Sequence, residues 1–227
     1  MAAASARRSG FAVRVIFLGP PGAGKGTQAA KLAGQLALPK IGTGEMLRAA
    51  IAAGTQLGRE ARPTMGKGSL VPDELLLALV RERIRQPDCD AGFVLDGFPR
   101  TLGQARGLEA MTDGVPGSWV VFDFEVPREV LLRRLSGRRW CPSCQATYHL
   151  RSAPPKRPGA CDACGTGLVQ RADDHEAVVA ERLRQYDERT FPLIDYYRTR
   201  ARMIAVDGNR PMDDVFRELV DAVEVRA

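Results

Sequence analysis

Two sets of residues in this chain have types and spacings suited to chemistry. Cys141-Pro142-Ser143-Cys144 and Cys161-Asp162-Ala163-Cys164 are Cys-x-x-Cys pairs separated by sixteen residues, the pattern of a four-thiolate metal site. Four thiolates leave no open position for water, so the metal would be structural. Zinc is preferred over iron because it dominates tetrahedral knuckles of this kind. The second set is Gly19-Pro20-Pro21-Gly22-Ala23-Gly24-Lys25-Gly26-Thr27. Its glycines let the backbone curl until N–H groups converge on phosphate oxygens, and Lys25 supplies a point charge for β- and γ-phosphates. The general pattern places Ser or Thr directly after the lysine, whereas here Gly26 precedes Thr27.

Leu95-Asp96-Gly97-Phe98-Pro99-Arg100 adds a carboxylate at the C-terminal end of an expected strand. Asp96 is placed to hold Mg²⁺ through waters, since hard cations prefer oxygen ligands. Gly97 permits close backbone approach, and Arg100 offers a bidentate fork for phosphate. His149 and His175 flank the cysteines, but four thiols already fill a tetrahedral shell, so both are expected to be structural or exposed. Cys89 stands apart and is expected to be a small packing residue.

The elements that must position these groups are legible in outline. Val13–Leu18 is a short β-branched run leading into the Gly-rich loop, followed by a helix from about Lys25 to Leu36. Phe93–Leu95, Trp119–Phe122 and Met203–Val206 are further strands, each followed by helical sequence. Thr43 is expected to cap a helix over 44–53, with another over 56–66. Pro72 is expected at the first position of the next helix, whose first turn carries Asp73 and Glu74. A last helix runs from Pro211 to about Val223. Such alternation predicts an α/β fold, a parallel sheet with helices on both faces. Residues 42–71, helical with no strand between, and 137–174, rich in Pro, Gly and Cys, read as insertions at its edge.

At 227 residues, with 44% hydrophobic and 26% charged content, the chain suits one globular domain or a core with insertions. No apolar run approaches the roughly 20 residues that span a bilayer. Residues 1–12 are expected to be a flexible N-terminal extension without a secretory signal, and a cytoplasmic location follows. Five cysteines in that setting argue against a disulfide framework. The formal charge of +6 drops to about +4 with zinc on four thiolates. Lys and Arg are spread along the chain, so the excess is read as local phosphate chemistry, with neither nucleic acid nor membrane as a partner.

Gly19–Thr27, Ile41–Arg48, Leu95–Arg100 and Gln170-Arg171-Ala172-Asp173-Asp174, in this order, resemble the adenylate kinase family of nucleoside monophosphate kinases, in its bacterial long form with a zinc-bearing lid. The resemblance extends from about Val13 to the C-terminus, and Gly-Lys-Gly-Thr is itself typical of these kinases. It implies a P-loop NTPase-like core with a five-stranded parallel sheet, made of residues 13–41, 72–136 and 175–227. Residues 42–71 would form the domain that closes over AMP, and 137–174 the lid over ATP. The implied activity is Mg-dependent transfer between ATP and AMP to give two ADP, by a monomer.

Residue by residue, the resemblance implies AMP contacts at Thr43, Arg48, Ser69, Leu70, Val71, Gly97, Phe98, Pro99, Arg100 and Gln104. ATP contacts fall on Gly22, Ala23, Gly24, Lys25, Gly26, Thr27, Arg138 and Tyr148, with Thr147 and Arg210 through their backbones. Arg134, Arg171 and Arg182 match phosphate-handling arginines, Arg134 on the ATP side and the other two also at AMP. Asp173 and Asp174 are expected to tether arginines or hinge the lid. A kinase for another monophosphate, or one using GTP as donor, would share the loop and arginines; the long lid and the Thr43/Gln104 pair favour AMP. A zinc-knuckle nucleic-acid binder would need aromatics interleaved with basic residues. Near the cysteines it would have Trp140, Tyr148 and His149, and it leaves the phosphate loop unexplained.

Overall fold

A computed structural model of the chain describes residues 12–113 and 117–224. Strand β1 (Ala12–Leu18) is apolar at nearly every position because both its faces are covered. Val15 and Phe17 enter one hydrophobic cluster, and Ile16 and Leu18 enter another. Around it, β2 (Lys40–Gly42), β3 (Gly92–Asp96), β4 (Gly117–Glu125) and β7 (Arg202–Asp207) complete a five-stranded sheet. The order is β2-β3-β1-β4-β7 and every pairing is parallel. The Phe17 ring packs 5.5 Å from Phe122 and 5.4 Å from Phe124 across neighbouring positions.

Helices α1 (Lys25–Leu36), α6 (Arg128–Gly137), α7 (Glu176–Gln185) and α9 (Met212–Glu224) cover one face. Helix α9 buries Val215, Leu219 and Val223, one stripe at four-residue spacing. The other face is covered by α4 (Asp73–Ile84), α5 (Leu102–Thr112) and α8 (Leu193–Arg198). Between β2 and α4 lie α2 (Thr43–Ala52) and α3 (Gln56–Gly66), which send Leu47 and Ala61 into the second cluster. Between α6 and α7, β5 (Arg138–Trp140) and β6 (Thr147–His149) form an antiparallel pair. Trp140 also exchanges backbone hydrogen bonds with Val169, at 2.8 and 2.9 Å. Among the described residues, no helix is long and apolar enough to cross a membrane.

The structure corrects several local expectations. Ala12 belongs to β1, paired with Gly117; the rest of the expected N-terminal extension lies outside the described residues. Strand β2 is the fifth strand, which the sequence pattern does not locate: one apolar residue, Ile41, sits between Lys40 and Gly42. It exists through pairing with Val94–Asp96. Thr43 is the first residue of α2, not its cap, and its hydroxyl donates to the Gly97 carbonyl at 2.9 Å. Pro72 is the cap of α4 and Asp73 its first residue.

Candidate active site

The glycine-rich loop leaves the C-terminal end of β1, between β3 and β4, where an open α/β sheet forms its crevice. Gly19 has φ +133°, and a Cβ there would meet the Phe124 carbonyl oxygen at 2.7 Å, so only glycine lets the loop pass so close to β4. Lys25 opens α1 and bends back over the loop, donating to the Gly19 and Pro20 carbonyls at 2.6 and 2.7 Å. Part of its surface faces the cleft, yet protein surrounds the ammonium. Desolvation pushes its pKa down to about 7, with Asp96 opposing the shift and Arg100, Arg182 and Arg138 adding to it.

The cleft above the loop has a volume of about 380 Å³. Lys25, Arg48, Arg100, Arg138, Arg171 and Arg182 all line it, drawn from α1, α2, the loop after β3, β5, the turn before α7, and α7. Burial lowers the pKa of Arg48 and Arg100, and brings Arg171 down to about 9 with help from the Arg138 and Arg48 charges. Gathering so much positive charge is unfavourable without anions. Two carboxylates supply part of the balance. Asp174, 1% exposed, takes Arg138 Nε and Nη2 in a fork, with Nε at 2.6 Å, and accepts from Arg182 at 2.8 Å. Asp173 pairs with Arg182 at 3.2 Å. Burial opposes its ionisation, but Arg182, Arg138, Arg48 and Arg171 outweigh it and hold its pKa low. Both aspartates thus tether arginines.

The cleft also brings together Gly22, Gly26, Thr27, Thr43, Ser69, Leu70, Val71, Asp96, Gly97, Pro99 and Thr147. Other predicted residues stand behind this lining. Gln104 is fully buried; it accepts from the Arg100 backbone N–H at 2.8 Å and donates to Asp73 at 2.8 Å. Phe98 is buried in the core beneath, while Ala23 and Gly24 turn away from the lining. Arg134 donates to the Gly208 carbonyl at 2.9 Å, and Arg210 pairs with Glu218. Tyr148 turns its hydroxyl into the cysteine cluster, where it accepts from the Asp162 N–H at 2.8 Å. His149 accepts two backbone N–H groups of its own turn through Nδ1, and His175 is an exposed helix cap. Cys89 is buried against Arg83, its thiol pushed up to about 11 by desolvation.

Sequence reasoning missed Gln145, Tyr186 and Thr190, which also line the cleft. Tyr186 and Thr190 bound a π-helical stretch, and the Thr190 hydroxyl donates to the Arg100 carbonyl at 2.9 Å. Gln145 has a readable signal: it follows the second cysteine of its pair, where Gly165 follows the other. Both are left-handed, φ +64° and +74°, a conformation glycine adopts without strain.

The residues present suit two metals. The four cysteine sulfurs lie within 4.8 Å of one another, and an ion binding four sulfurs at about 2.3 Å spaces them about 3.8 Å apart. The two turns are built alike. Cys141 N–H donates to Ala146 O and Gln145 N–H to Cys141 O; Cys161 N–H donates to Thr166 O and Gly165 N–H to Cys161 O. At Gly26, a Cβ would lie 3.0 Å from Asp96 Oδ2. The missing side chain therefore leaves the carboxylate room against the first turn of α1, as a site for a hydrated Mg²⁺ requires.

A family model described as adenylate kinase matches residues 17–202. The adenylate kinase of Moorella thermoacetica is 53% identical over 204 residues, 89% of this chain and 94% of that protein. That of Syntrophobacter fumaroxidans is 50% identical over 211 residues, covering 90% and 96%. That of Archaeoglobus fulgidus is 48% identical over 213 residues, covering 93% and 98%.

Proposed function

The chain belongs to the adenylate kinase family, and from that premise we propose that it moves the γ-phosphoryl group of ATP reversibly onto AMP, giving two ADP. One observation supports this most directly: a lysine and five arginines from six separate segments converge on one cleft above a phosphate loop. Phosphoryl transfer runs through a loose transition state whose charge spreads over the transferred oxygens, so catalysis is mainly positioning and charge stabilisation. A phosphate monoester is largely dianionic above its second pKa of about 6. AMP therefore attacks without a general base, which fits a cleft where Asp173 is paired with Arg182 and Asp96 would be given to Mg²⁺.

In this reading α2, α3 and the 42–71 segment hold AMP. Thr43 and the 69–71 backbone face its base, and Arg48, Arg100, Arg171 and Arg182 its phosphate. Gln104 and Phe98 act from beneath, by fixing the loop that carries Gly97, Pro99 and Arg100. Residues 137–174 form the lid over ATP, whose phosphates lie on the 22–27 loop under Lys25, Arg138 and Arg171. Thr147 faces the ATP side directly. Tyr148, Arg134 and Arg210 sustain that side from behind, through the cysteine cluster and the loop at Gly208. Asp96 would hold Mg²⁺, which when bound neutralises phosphate charge. Cys141, Cys144, Cys161 and Cys164 would hold zinc as a staple for a segment with little core of its own. One complete cleft per chain is consistent with a monomer, and adenine nucleotide turnover with a cytoplasmic location.

The test is a panel of AMP, GMP, CMP and UMP, each with Mg-ATP, followed for diphosphate formation. AMP should be the preferred acceptor by at least tenfold in kcat/KM. Preference for another monophosphate would overturn the assignment.

A further inference from the structure

Arg48 lies on α2 and Arg171 precedes α7, yet both guanidinium groups stand over one indole. Their centres are 5.8 and 5.6 Å from the ring centroid of Trp140, within the range where a cation is drawn to an aromatic face. For Arg48 this contact is singular: among the described residues no hydrogen bond or ion pair holds its guanidinium, and its Nε is buried without a partner. Arg171 has one weak bond, Nη2 to Thr147 Oγ1 at 3.3 Å, and its Nε is likewise buried and unpaired. Arg171, whose pKa is lowered first by burial, also feels the repulsive charges of Arg138 and Arg48. An aromatic face offsets that repulsion and leaves the N–H donors free to turn toward the cleft.

Trp140 is itself firmly placed. It ends β5, pairs with Thr147, and is bonded through its backbone to Val169, two residues before Arg171. The indole Nε1 is buried and has no hydrogen-bond partner, so the side chain is not held there by its polar edge. We propose that Trp140 is a positioning residue for the acceptor nucleotide. Its ring aligns Arg48 and Arg171 on the phosphate of AMP and joins the segment carrying α2 to the segment carrying the cysteines when both close on the cleft. This rests on the AMP-kinase reading and adds to it a residue acting through two arginines.

The experiment compares the intact, zinc-loaded protein with Trp140→Leu, which keeps apolar bulk, and Trp140→Phe, which keeps an aromatic face. Steady-state kinetics are measured against AMP and against ATP, with zinc content and melting temperature alongside. Trp140→Leu should raise KM for AMP about five- to tenfold, as expected for loss of a partly desolvated cation–π contact, while kcat changes less than threefold. Trp140→Phe should recover KM to within about threefold of the parent. In a Trp119→Phe background, which leaves Trp140 as the sole tryptophan, AMP should shift its emission. The proposal is overturned if Trp140→Leu leaves KM for AMP unchanged. It is also overturned if the two variants lose zinc and melting temperature in parallel with no recovery of KM by Phe, since that marks a purely structural role. A parent protein inactive with AMP would refute the kinase reading instead.

Discussion

The protein itself imposes a desolvation penalty on Lys25, lowering its pKa from 10.5 to about 7. Between those values the unfolded chain binds more protons than the folded one, so this group's contribution to stability improves as pH rises from 7 toward 10.5. Below pH 7 the penalty is fully present. Lys25→Met without nucleotide should therefore be more stable than the parent at pH 6.5, with the gain shrinking by pH 9.5. Denaturant titrations at those pH values check it, and a gain that grows with pH would refute it. Turnover by the same variant should fall at least a hundredfold, since a preorganised charge at the developing phosphoryl charge is lost. At this scale the sequence was legible wherever a residue's neighbours in the chain define its job. Lys25 sits in a loop of glycines and Asp96 ends a strand. Trp140 was not legible, because its partners Arg48 and Arg171 are joined to it only by folding. Gln104 and Tyr148 were placed by resemblance, but nothing in their local sequence says that one supports Arg100 from below and the other faces the cysteines.

Among the elements, the segment from β5 to the turn before α7 has little apolar core. Cys141 and Cys161 are its two buried cysteines, while Leu150 and Val169 are exposed. A metal must then supply rigidity that packing does not. Removing zinc by chelation, or through Cys161→Ser, should lower the melting temperature by roughly 10 °C, equivalent to a few kcal/mol at this size. Transfer activity should remain measurable below that transition. Unchanged melting with activity abolished would instead put the cysteines in the chemistry. The aromatic residues of this segment are engaged internally, Tyr148 with Asp162 and Trp140 with two arginines. That arrangement disfavours a nucleic-acid grip. Elements with a clear apolar pattern, the continuous run of β1 and the helical stripe of α9 among them, were readable because propensity and burial agree. Strand β2 was not, since three residues carry no period and pairing with β3 alone defines it.

For the whole molecule, the parallel sheet explains why chemistry concentrates at one edge. Phosphate loop, Asp96 and Arg100 all emerge from the C-terminal ends of β1 and β3, and the two insertions lean over that same edge. The order β2-β3-β1-β4-β7 places β1 centrally, so its following loop opens into the crevice. Alternating strands and helices made this layout legible as a class. That the 42–71 and 137–174 segments face one cleft follows from long-range contacts, Arg48 over Trp140 among them. A cleft built to bring two nucleotides together should deliver phosphate to AMP and not to water. The most direct measurement follows the label from γ-³²P-ATP in the presence of AMP and Mg²⁺. The label should appear in the β-position of ADP, with two ADP formed for each AMP consumed and inorganic phosphate negligible. Label released chiefly as inorganic phosphate would contradict it.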